Sequence, residues 1–579
     1  MAQVGEVMLG EILAAFERVQ GSAAPRSSLR SALCSALLLG FGMWGAPALA
    51  SPILVVAPDG PFQGKIDSTG TMREFLGMRY AQPATGSLRW RPPQPMGASV
   101  TIQDATQFGN HCPQSLSPFG NATVTEDCLY LNVFTPNRGG DDRSGDHDDT
   151  EARPVMVWIH GGSLLVGESN EYNPIKLVQH GVVVVTINYR LGALGFLAHP
   201  ALTGESPDQI SGNYGIGDQQ AALNWVLRNI RAFGGNQKNV TIFGESAGGS
   251  STLVNVVSPT ASGLFHRAIV ESGAYQLTQP TLAQGEVAGI NFANAVGCDQ
   301  PNSADVLACL RGLTVSTILA HQNPTPSPKV DGKILTQSVG AALGSGQFNR
   351  VPLMNGTNHD EWNFFVALNF DQHGGPVAAS TYVAAIGATI GNPAAAPLVA
   401  TKYQVPAQFP SFDQGVGGVG TDSKYACPAR FADELASPFV PIFAYELNDE
   451  KAPQNYLRPV SFPYGAAHTS ELQYIFPVAN PTGVGLNLAR MPLDSEQQTL
   501  SDQMVGYWTE FAKSGNPNGH GQPFWPRFHR DRQAILSLVE PSPTSETNFA
   551  TAHQCDFWEA LAGVTLPAND DQDQRAENE

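Results

Sequence analysis

Residues 244–248 read GESAG, a Gly-x-Ser-x-Gly motif centred on Ser246. Small residues on both sides let the backbone make the tight, strained turn that lifts a serine hydroxyl clear of a sheet. The motif directly follows the apolar run 240–243, which is typical of a buried strand, and precedes a helix-compatible stretch. This context favours acyl-transfer chemistry, and we predict that Ser246 is the nucleophile.

A second glycine segment follows another apolar run upstream and reads His160-Gly161-Gly162. Flexible glycines can turn their backbone N–H groups inward, and together with the N–H of Ala247 they would form an oxyanion hole. Each such donor lowers the reaction barrier by roughly 3–4 kcal/mol. His160, at the head of this segment, is interpreted as structural rather than as the catalytic base.

A serine hydroxyl is a poor nucleophile unless a base is positioned beside it. In a strand–turn–helix arrangement of this kind the acid and the histidine follow the serine in the chain. The acid candidates are the adjacent Asp360 and Glu361, and spacing does not separate them. The histidine candidate is His468, in a polar loop after the strand-like run 441–445, and spacing alone leaves its competitors open: His359, His520, His529 and His553.

The elements around these residues predict a layered α/β architecture. The runs 155–159, 182–187 and 240–243 are rich in β-branched residues and are predicted to be strands covered on both faces. A helix ending at Gly234 is predicted between the second and third strands, with one apolar face formed by Ala222, Trp225, Val226 and Ile230. Such alternation favours a large, mostly parallel sheet with helices on both faces.

Composition and charge restrict the partners. The 579 residues are 42% hydrophobic and 14% charged, which is typical of a folded soluble protein. The formal net charge of -19 argues against nucleic acid or an anionic membrane as a partner. Residues 51–565 contain no repeat and no Pro- or Gly-rich linker, and they are interpreted as one catalytic domain. The acidic insert 139–153 is predicted to be an exposed loop, and residues 566–579 a disordered acidic tail.

Residues 1–50 are interpreted as a lead followed by a secretory signal peptide. Arg26 and Arg30 precede an apolar stretch that ends in Ala48-Leu49-Ala50, a small-x-small cleavage pattern. We therefore expect a secreted or periplasmic protein without stable membrane insertion after cleavage.

Six cysteines follow the signal segment, and an even number in an exported chain predicts three disulfides among 15 connectivities. No CxxC pair is present, so a zinc site is not expected. The six are Cys112, Cys128, Cys298, Cys309, Cys427 and Cys555.

Blocks along residues 52–562 resemble the type-B carboxylesterase (cholinesterase-like) family. The resemblance is carried by the segments FLGMRYA at 75–81, LRWRPP at 88–93, EDCLYLNV at 126–133, NYRLG at 188–192, FGESAGG at 243–249, and GNP at 515–517 with the preceding WTEFAK at 508–513. It implies an α/β-hydrolase fold and a carboxylic ester hydrolase that acts on small-molecule esters without a metal or cofactor.

The resemblance also selects among the open candidates. It implies Glu361 rather than Asp360 as the acid, His468 as the base, and a serine at Ser272 that supports the acid. It further implies the disulfides Cys112–Cys128, Cys298–Cys309 and Cys427–Cys555.

Specificity is less constrained. No tryptophan lies between Cys112 and Cys128, where cholinesterases carry one that stacks on choline, so cholinesterase specificity is not expected. Small to medium apolar esters are the predicted substrates, with a lipase for longer-chain esters as the alternative. A non-catalytic adhesion or binding relative of the fold is disfavoured because all three triad candidates are present. Two roles stay open: Glu245 as a functional or a structural carboxylate, and a pocket-lining or core location for Trp362, Phe364 and Phe365.

Overall fold

A computed structural model describes residues 53–137, 152–323, 326–477 and 491–563. The predicted signal segment, most of the acidic insert and the acidic tail lie outside these residues. Arg153, which the sequence assigned to the insert, is instead the first residue of a strand.

The described strands form one large sheet. Its order is β1-β2-β3-β5-β7-β6-β8-β9-β10-β11-β12-β13, with β4 paired to β2. Every neighbouring pair from β7 to β12 is parallel, whereas pairs at both ends of the sheet are antiparallel. In chain order the strands are β1 Ile53–Ala57, β2 Gly60–Ile66, β3 Met72–Arg79, β4 Gln103–Asp104, β5 Tyr130–Pro136, β6 Arg153–Ile159, β7 Val183–Ile187, β8 Gly235–Glu245, β9 Arg267–Glu271, β10 Leu353–Asn358, β11 Ile442–Leu447, β12 Ile535–Leu538 and β13 Thr544–Glu546.

Helices connect the parallel strands. The described α-helices are α1 Ile175–Gln179, α2 Gly192–Phe196, α3 Pro200–Glu205, α4 Tyr214–Asn229, α5 Ala247–Val257, α6 Leu282–Ala295, α7 Ser303–Gly312, α8 Val315–His321, α9 Val339–Ser345, α10 Asn363–Val366, α11 Tyr382–Ile390, α12 Ala396–Ala400, α13 Phe412–Thr421, α14 Cys427–Ala436, α15 Leu472–Ile475, α16 Ser495–Ser514, α17 Phe549–Ala552 and α18 Cys555–Ala562. The predicted apolar face of α4 is fully buried, and Gly234 ends the helical segment with a left-handed backbone, φ +85°.

The two faces of the sheet pack into separate cores. In β6, Val155, Val157 and Ile159 belong to one hydrophobic cluster, while Met156 and Trp158 belong to the cluster on the opposite face. Burial on both sides explains why this strand is a continuous apolar run rather than an alternating one. The predicted fold class, a mostly parallel sheet covered on both faces, is confirmed.

Among the described helices, no single one has both the length and the apolar composition needed to cross a membrane. One pair, α7 with α8, meets those criteria when taken together, but the two helices are bent by 103° relative to each other.

Four neighbouring parallel strands bring distant parts of the chain to one edge of the sheet. β6, β8, β9 and β10 lie side by side and all end at this edge. Ligand and active sites in open α/β sheets lie outside the carboxyl ends of the strands. The loops after these strands carry Gly161, Ser246, Ser272 and Glu361.

Candidate active site

Ser246 lies on a sharp turn between β8 and α5. Its backbone has φ +54° and ψ -121°, a conformation that is strained for a residue with a side chain. The flanking glycines explain how the turn approaches β6: a Cβ at Gly244 would lie 2.5 Å from the carbonyl oxygen of Ile159, and one at Gly248 would overlap the same atom. Both positions therefore require glycine, and the turn holds the serine at the edge of the sheet.

Three side chains that are far apart in the chain form a hydrogen-bonded row. His468 Nε2 lies 2.9 Å from Ser246 Oγ, and His468 Nδ1 lies 2.5 Å from Glu361 Oε2. All three residues are buried, with Ser246 8% exposed. If the proton is on Nδ1, Nε2 is free to accept the serine proton, which is the arrangement of a nucleophile, a base and an orienting acid.

The carboxylate of Glu361 is held by further donors. Its Oε1 accepts a 2.8 Å hydrogen bond from the N–H of Asn358 and a 2.5 Å hydrogen bond from the hydroxyl of Ser272. Asp360, the alternative acid, points elsewhere: it accepts a bond from the Ala466 N–H. The structure therefore brings Glu361 to the histidine, and Ser272 supports that carboxylate.

The other candidate histidines lie outside this row. His359 is paired with Asp360 at 3.3 Å, and His553 lies between two other carboxylates. His520 and His529 are exposed.

Additional buried carboxylates surround His468. Burial tends to lower the pKa of the imidazole, but the charges of Glu245 and Glu361 outweigh it and raise that pKa to about 9. Glu245 Oε1 is 3.2 Å from His468 Nε2, and burial together with neighbouring carboxylates raises its own pKa well above the usual range. Burial likewise raises the pKa of Glu471, whose charge also acts on His468, to about 7.

Aromatic rings pack around the imidazole. The ring centroids of Phe365 and Tyr425 each lie 5.1 Å from that of His468, and the centroid of Phe364 lies 6.0 Å from it. Trp362 and Phe364 are also members of a buried hydrophobic cluster, which is the core location that was one of the two alternatives for this aromatic segment; their lining of a substrate pocket stays a prediction. Tyr425 had no sequence signal, because it lies on a π-helical turn far from any motif.

Residues 160–167, here called the glycine loop, lie beside the serine. A Cβ at Gly161 would be 3.2 Å from Ser246 Cβ, and Gly162 has φ +95°. Within the described part of the chain, the N–H groups of Gly161, Gly162 and Ala247 donate to no protein acceptor. Ser163, the residue after Gly162, also has a positive φ of +58°.

His160 has a structural environment. Its ring stacks on Tyr189 at 4.5 Å and its Nδ1 lies 2.9 Å from the carbonyl oxygen of Gly161. Burial lowers its pKa to about 4, so the ring is neutral near pH 7.

Three disulfides link Cys112 to Cys128, Cys298 to Cys309, and Cys427 to Cys555. These are the pairings that the resemblance implied. The third joins the first residue of α14 to the first residue of α18. No group of three or more His, Cys, Asp or Glu side chains suited to a metal ion occurs in residues the structure describes.

Comparison with known proteins places this site in a family. The model of the Carboxylesterase family matches residues 51–558. The chain is 32% identical to the cocaine esterase of Homo sapiens over 568 residues, covering 92% of this chain and 95% of that protein. It is 34% identical to pyrethroid hydrolase Ces2e of Rattus norvegicus over 507 residues, 83% and 85% of the two chains. It is 32% identical to the acylcarnitine hydrolase of Mus musculus over 514 residues, 83% and 87% of the two chains.

A match over most of the length, at these identities, confirms both the resemblance and the predicted enzyme class. The chain belongs to the carboxylesterase family, and it is a carboxylic ester hydrolase with the α/β-hydrolase fold.

Proposed function

We propose that this protein is an exported serine esterase that cleaves small to medium apolar esters through Ser246, His468 and Glu361. The observation that carries the proposal is the continuous row of contacts from Ser246 Oγ through both imidazole nitrogens to the Glu361 carboxylate. The three disulfides and the predicted signal peptide support export, because disulfides persist in oxidising compartments.

In the acylation step, His468 Nε2 accepts the hydroxyl proton while Ser246 Oγ attacks the ester carbonyl carbon. The carbonyl oxygen becomes an oxyanion, and the N–H groups of Gly161, Gly162 and Ala247 stabilise it. Collapse of the tetrahedral intermediate breaks the bond to the alkoxy group, which leaves as the alcohol after taking the proton from His468. The acyl group stays on Ser246 as an ester.

Deacylation repeats the sequence with water as the nucleophile. His468 accepts a proton from water as the water oxygen attacks the acyl carbon, and the same N–H groups hold the second oxyanion. The carboxylic acid leaves when His468 returns the proton to Ser246 Oγ. Glu361 orients the ring and stabilises the imidazolium in both halves, with Ser272 and Asn358 holding the carboxylate.

Glu245 acts on the histidine rather than on the substrate in this proposal. Its carboxylate is 3.2 Å from the nitrogen that accepts the serine proton. Because burial raises the pKa of Glu245 well above the usual range, the carboxyl carries a charge only once it has ionised; that charge then favours the imidazolium that forms in each transition state and raises the pH at which the free base becomes available.

Apolar substrates are favoured by the surroundings of the base. Phe364, Phe365 and Tyr425 present aromatic surface within 6.0 Å of the His468 ring, centroid to centroid. The similar proteins are named as hydrolases or esterases of cocaine, pyrethroids and acylcarnitine, and these compounds are small-molecule esters. Aromatic walls with few polar groups bind such esters by excluding water from them.

The test is hydrolysis of an ester panel that varies acyl length and alcohol size, with Ser246→Ala as the matched variant. Removing the nucleophile should lower kcat by about 10⁶-fold on every ester, while the thermal unfolding midpoint stays close to that of the wild type. Undiminished turnover by the variant would overturn the mechanism. A wild-type preference for long-chain, water-insoluble esters would instead support a lipase, and absence of turnover together with no labelling of Ser246 by a serine-reactive phosphonate would support a non-catalytic relative.

A further inference from the structure

The loop closed by the Cys112–Cys128 disulfide, residues 112–128, packs directly against the glycine loop. The Gln114 side chain is 1% exposed and joins the two loops. Its Oε1 accepts a 2.8 Å hydrogen bond from the Gly167 N–H, and its Nε2 donates a 2.9 Å hydrogen bond to the Gly167 carbonyl oxygen. The same Nε2 donates to the Cys112 carbonyl oxygen at 3.1 Å, so both amide hydrogens are used. This side chain pairs with the Gly167 peptide groups as a neighbouring strand would.

Gly167 is in turn packed onto the part of the glycine loop that lies beside the serine. A Cβ at Gly167 would be 2.7 Å from the carbonyl oxygen of Gly161 and would overlap the His160 ring. Its φ of +115° is a conformation that favours glycine. Because no free space separates Gly167 from Gly161, a displacement of one is transmitted to the other.

The backbone of Gln114 is itself held in place by hydrogen bonds. The backbone N–H and carbonyl of Gln114 each form a 3.0 Å hydrogen bond with the backbone of Thr123 across the disulfide loop. Two further contacts, the 2.6 Å ion pair of His111 with Glu168 and the 3.4 Å hydrogen bond from the Asn121 amide to the Glu168 carboxylate, involve the residue that follows Gly167 in the chain. Gln114, by contrast, bonds to Gly167 itself, which packs against Gly161 next to Ser246.

We propose that Gln114 is a positioning residue for ester hydrolysis: by clamping Gly167 it holds the N–H groups of Gly161 and Gly162 in the geometry that stabilises the oxyanion. This inference rests on the proposed function, in which those N–H groups form the oxyanion hole. Stabilisation of a charge that exists only in the transition state raises kcat without tightening substrate binding. When the Gln114 hydrogen bonds to Gly167 are lost, the N–H groups of Gly161 and Gly162 are still present but are displaced from the oxyanion.

The test compares the wild type with Gln114→Met, which keeps the length of the side chain but removes both amide groups. We expect kcat to fall about 10- to 100-fold, less than for complete loss of a donor and comparable to a displacement of about 1 Å, with KM changed less than about threefold. A trifluoromethyl ketone, which adds to the serine and carries the same tetrahedral oxyanion, should lose affinity by the same factor as kcat/KM. Gln114→Glu is the second variant, because it retains an acceptor for the Gly167 N–H but places a carboxylate against the Gly167 carbonyl oxygen; it should show the same paired losses.

The matched control is Thr123→Ala, which removes a side-chain hydrogen bond within the disulfide loop, to the Thr125 N–H, and none to the glycine loop. It should keep wild-type kcat and ketone affinity. Wild-type kcat and ketone affinity in folded Gln114→Met or Gln114→Glu would overturn the inference, and so would equal losses in Thr123→Ala. An inactive Ser246→Ala combined with an unaffected Gln114→Met would reject only this inference, whereas an active Ser246→Ala would reject the proposed function itself.

Discussion

At the scale of single residues, the proposed mechanism makes the environment of His468 the determinant of the pH dependence of activity. The imidazole is buried between Glu361 on one nitrogen and Glu245 near the other, and its pKa is raised to about 9. In the proposed mechanism the neutral ring is the form that accepts the serine proton. Activity is therefore expected to increase with pH as the ring loses its proton, up to a plateau above about pH 9.

Replacement of Glu245 by Gln should shift this increase of activity with pH to lower pH values. The change removes a carboxyl group that can ionise 3.2 Å from the base, so in the pH range where the ring titrates the imidazolium loses a stabilising partner and the pKa of His468 falls, by about 1 unit or more. The measurement is kcat/KM from about pH 6 to about pH 10 for both enzymes. Glu510→Gln, a change on the outer part of α16, is the control and should leave the pH at which kcat/KM increases unchanged. If that pH does not change in Glu245→Gln, Glu245 carries no charge facing the base.

At the scale of elements, a second buried histidine ties the C-terminal helices to the sheet. His553 follows α17, and its Nδ1 lies 2.6 Å from Asp422 Oδ1 while its Nε2 lies 2.5 Å from Glu446 Oε1. Asp422 is on the π-helical segment between α13 and α14, and Glu446 is on β11. Burial opposes protonation, but the two carboxylates raise the pKa of His553 well above its usual range. The Cys427–Cys555 disulfide closes the same junction covalently.

His553→Gln should destabilise the fold in a pH-dependent way. Because the pKa of His553 is higher in the folded than in the unfolded chain, its stabilising contribution is complete below the unfolded pKa of about 6.5 and is lost as pH rises towards the folded pKa. We expect a loss of about 3 kcal/mol near pH 6 and a difference that narrows above that pH. Calorimetric Tm values of the two proteins across this range provide the measurement. His180→Gln, at an exposed position, serves as the control. A Tm difference between wild type and His553→Gln that widens with pH would contradict a protonated His553 paired with Asp422 and Glu446.

At the scale of the whole molecule, the three disulfides in the described chain are consistent with a secreted or lumenal protein. The sequence predicts cleavage after Ala50, so an exported mature chain should begin at Ser51. Intact-mass measurement and N-terminal sequencing of the protein from the growth medium check this. Ala48→Arg is expected to abolish that product, since the cleavage site requires small residues, whereas a secreted protein that retains residues 1–50 would contradict the cleavage.

Much of the architecture followed from local patterns. The runs 155–159 and 182–187 predicted strands buried on both faces, and β6 and β7 occupy them because helices cover both sides of the sheet. The turn at Ser246 was predicted in the same way, because its close approach to the sheet requires glycines that are only two residues away on each side. Local sequence is informative where the physical constraint is itself local.

The partners of Ser246 were not accessible to the same reasoning. His468 is 222 residues from the serine and 107 from Glu361, so spacing could not select it, and only the resemblance favoured it over other histidines. Asp360 and Glu361 differ by one position, yet the loop after β10 directs Glu361 to the imidazole and Asp360 to the Ala466 N–H.

The sequence by itself determined the strand–serine–helix unit, the mostly parallel sheet and the chemistry expected of Ser246. Only the tertiary structure decided which aromatic rings surround His468, that Glu245 approaches its reactive nitrogen, and that Gln114 holds Gly167. The physical reason is that a turn is specified by steric limits on a few consecutive residues. The electrostatics of a buried site depend instead on which strands lie next to each other in the sheet, because their order brings distant loops to one edge.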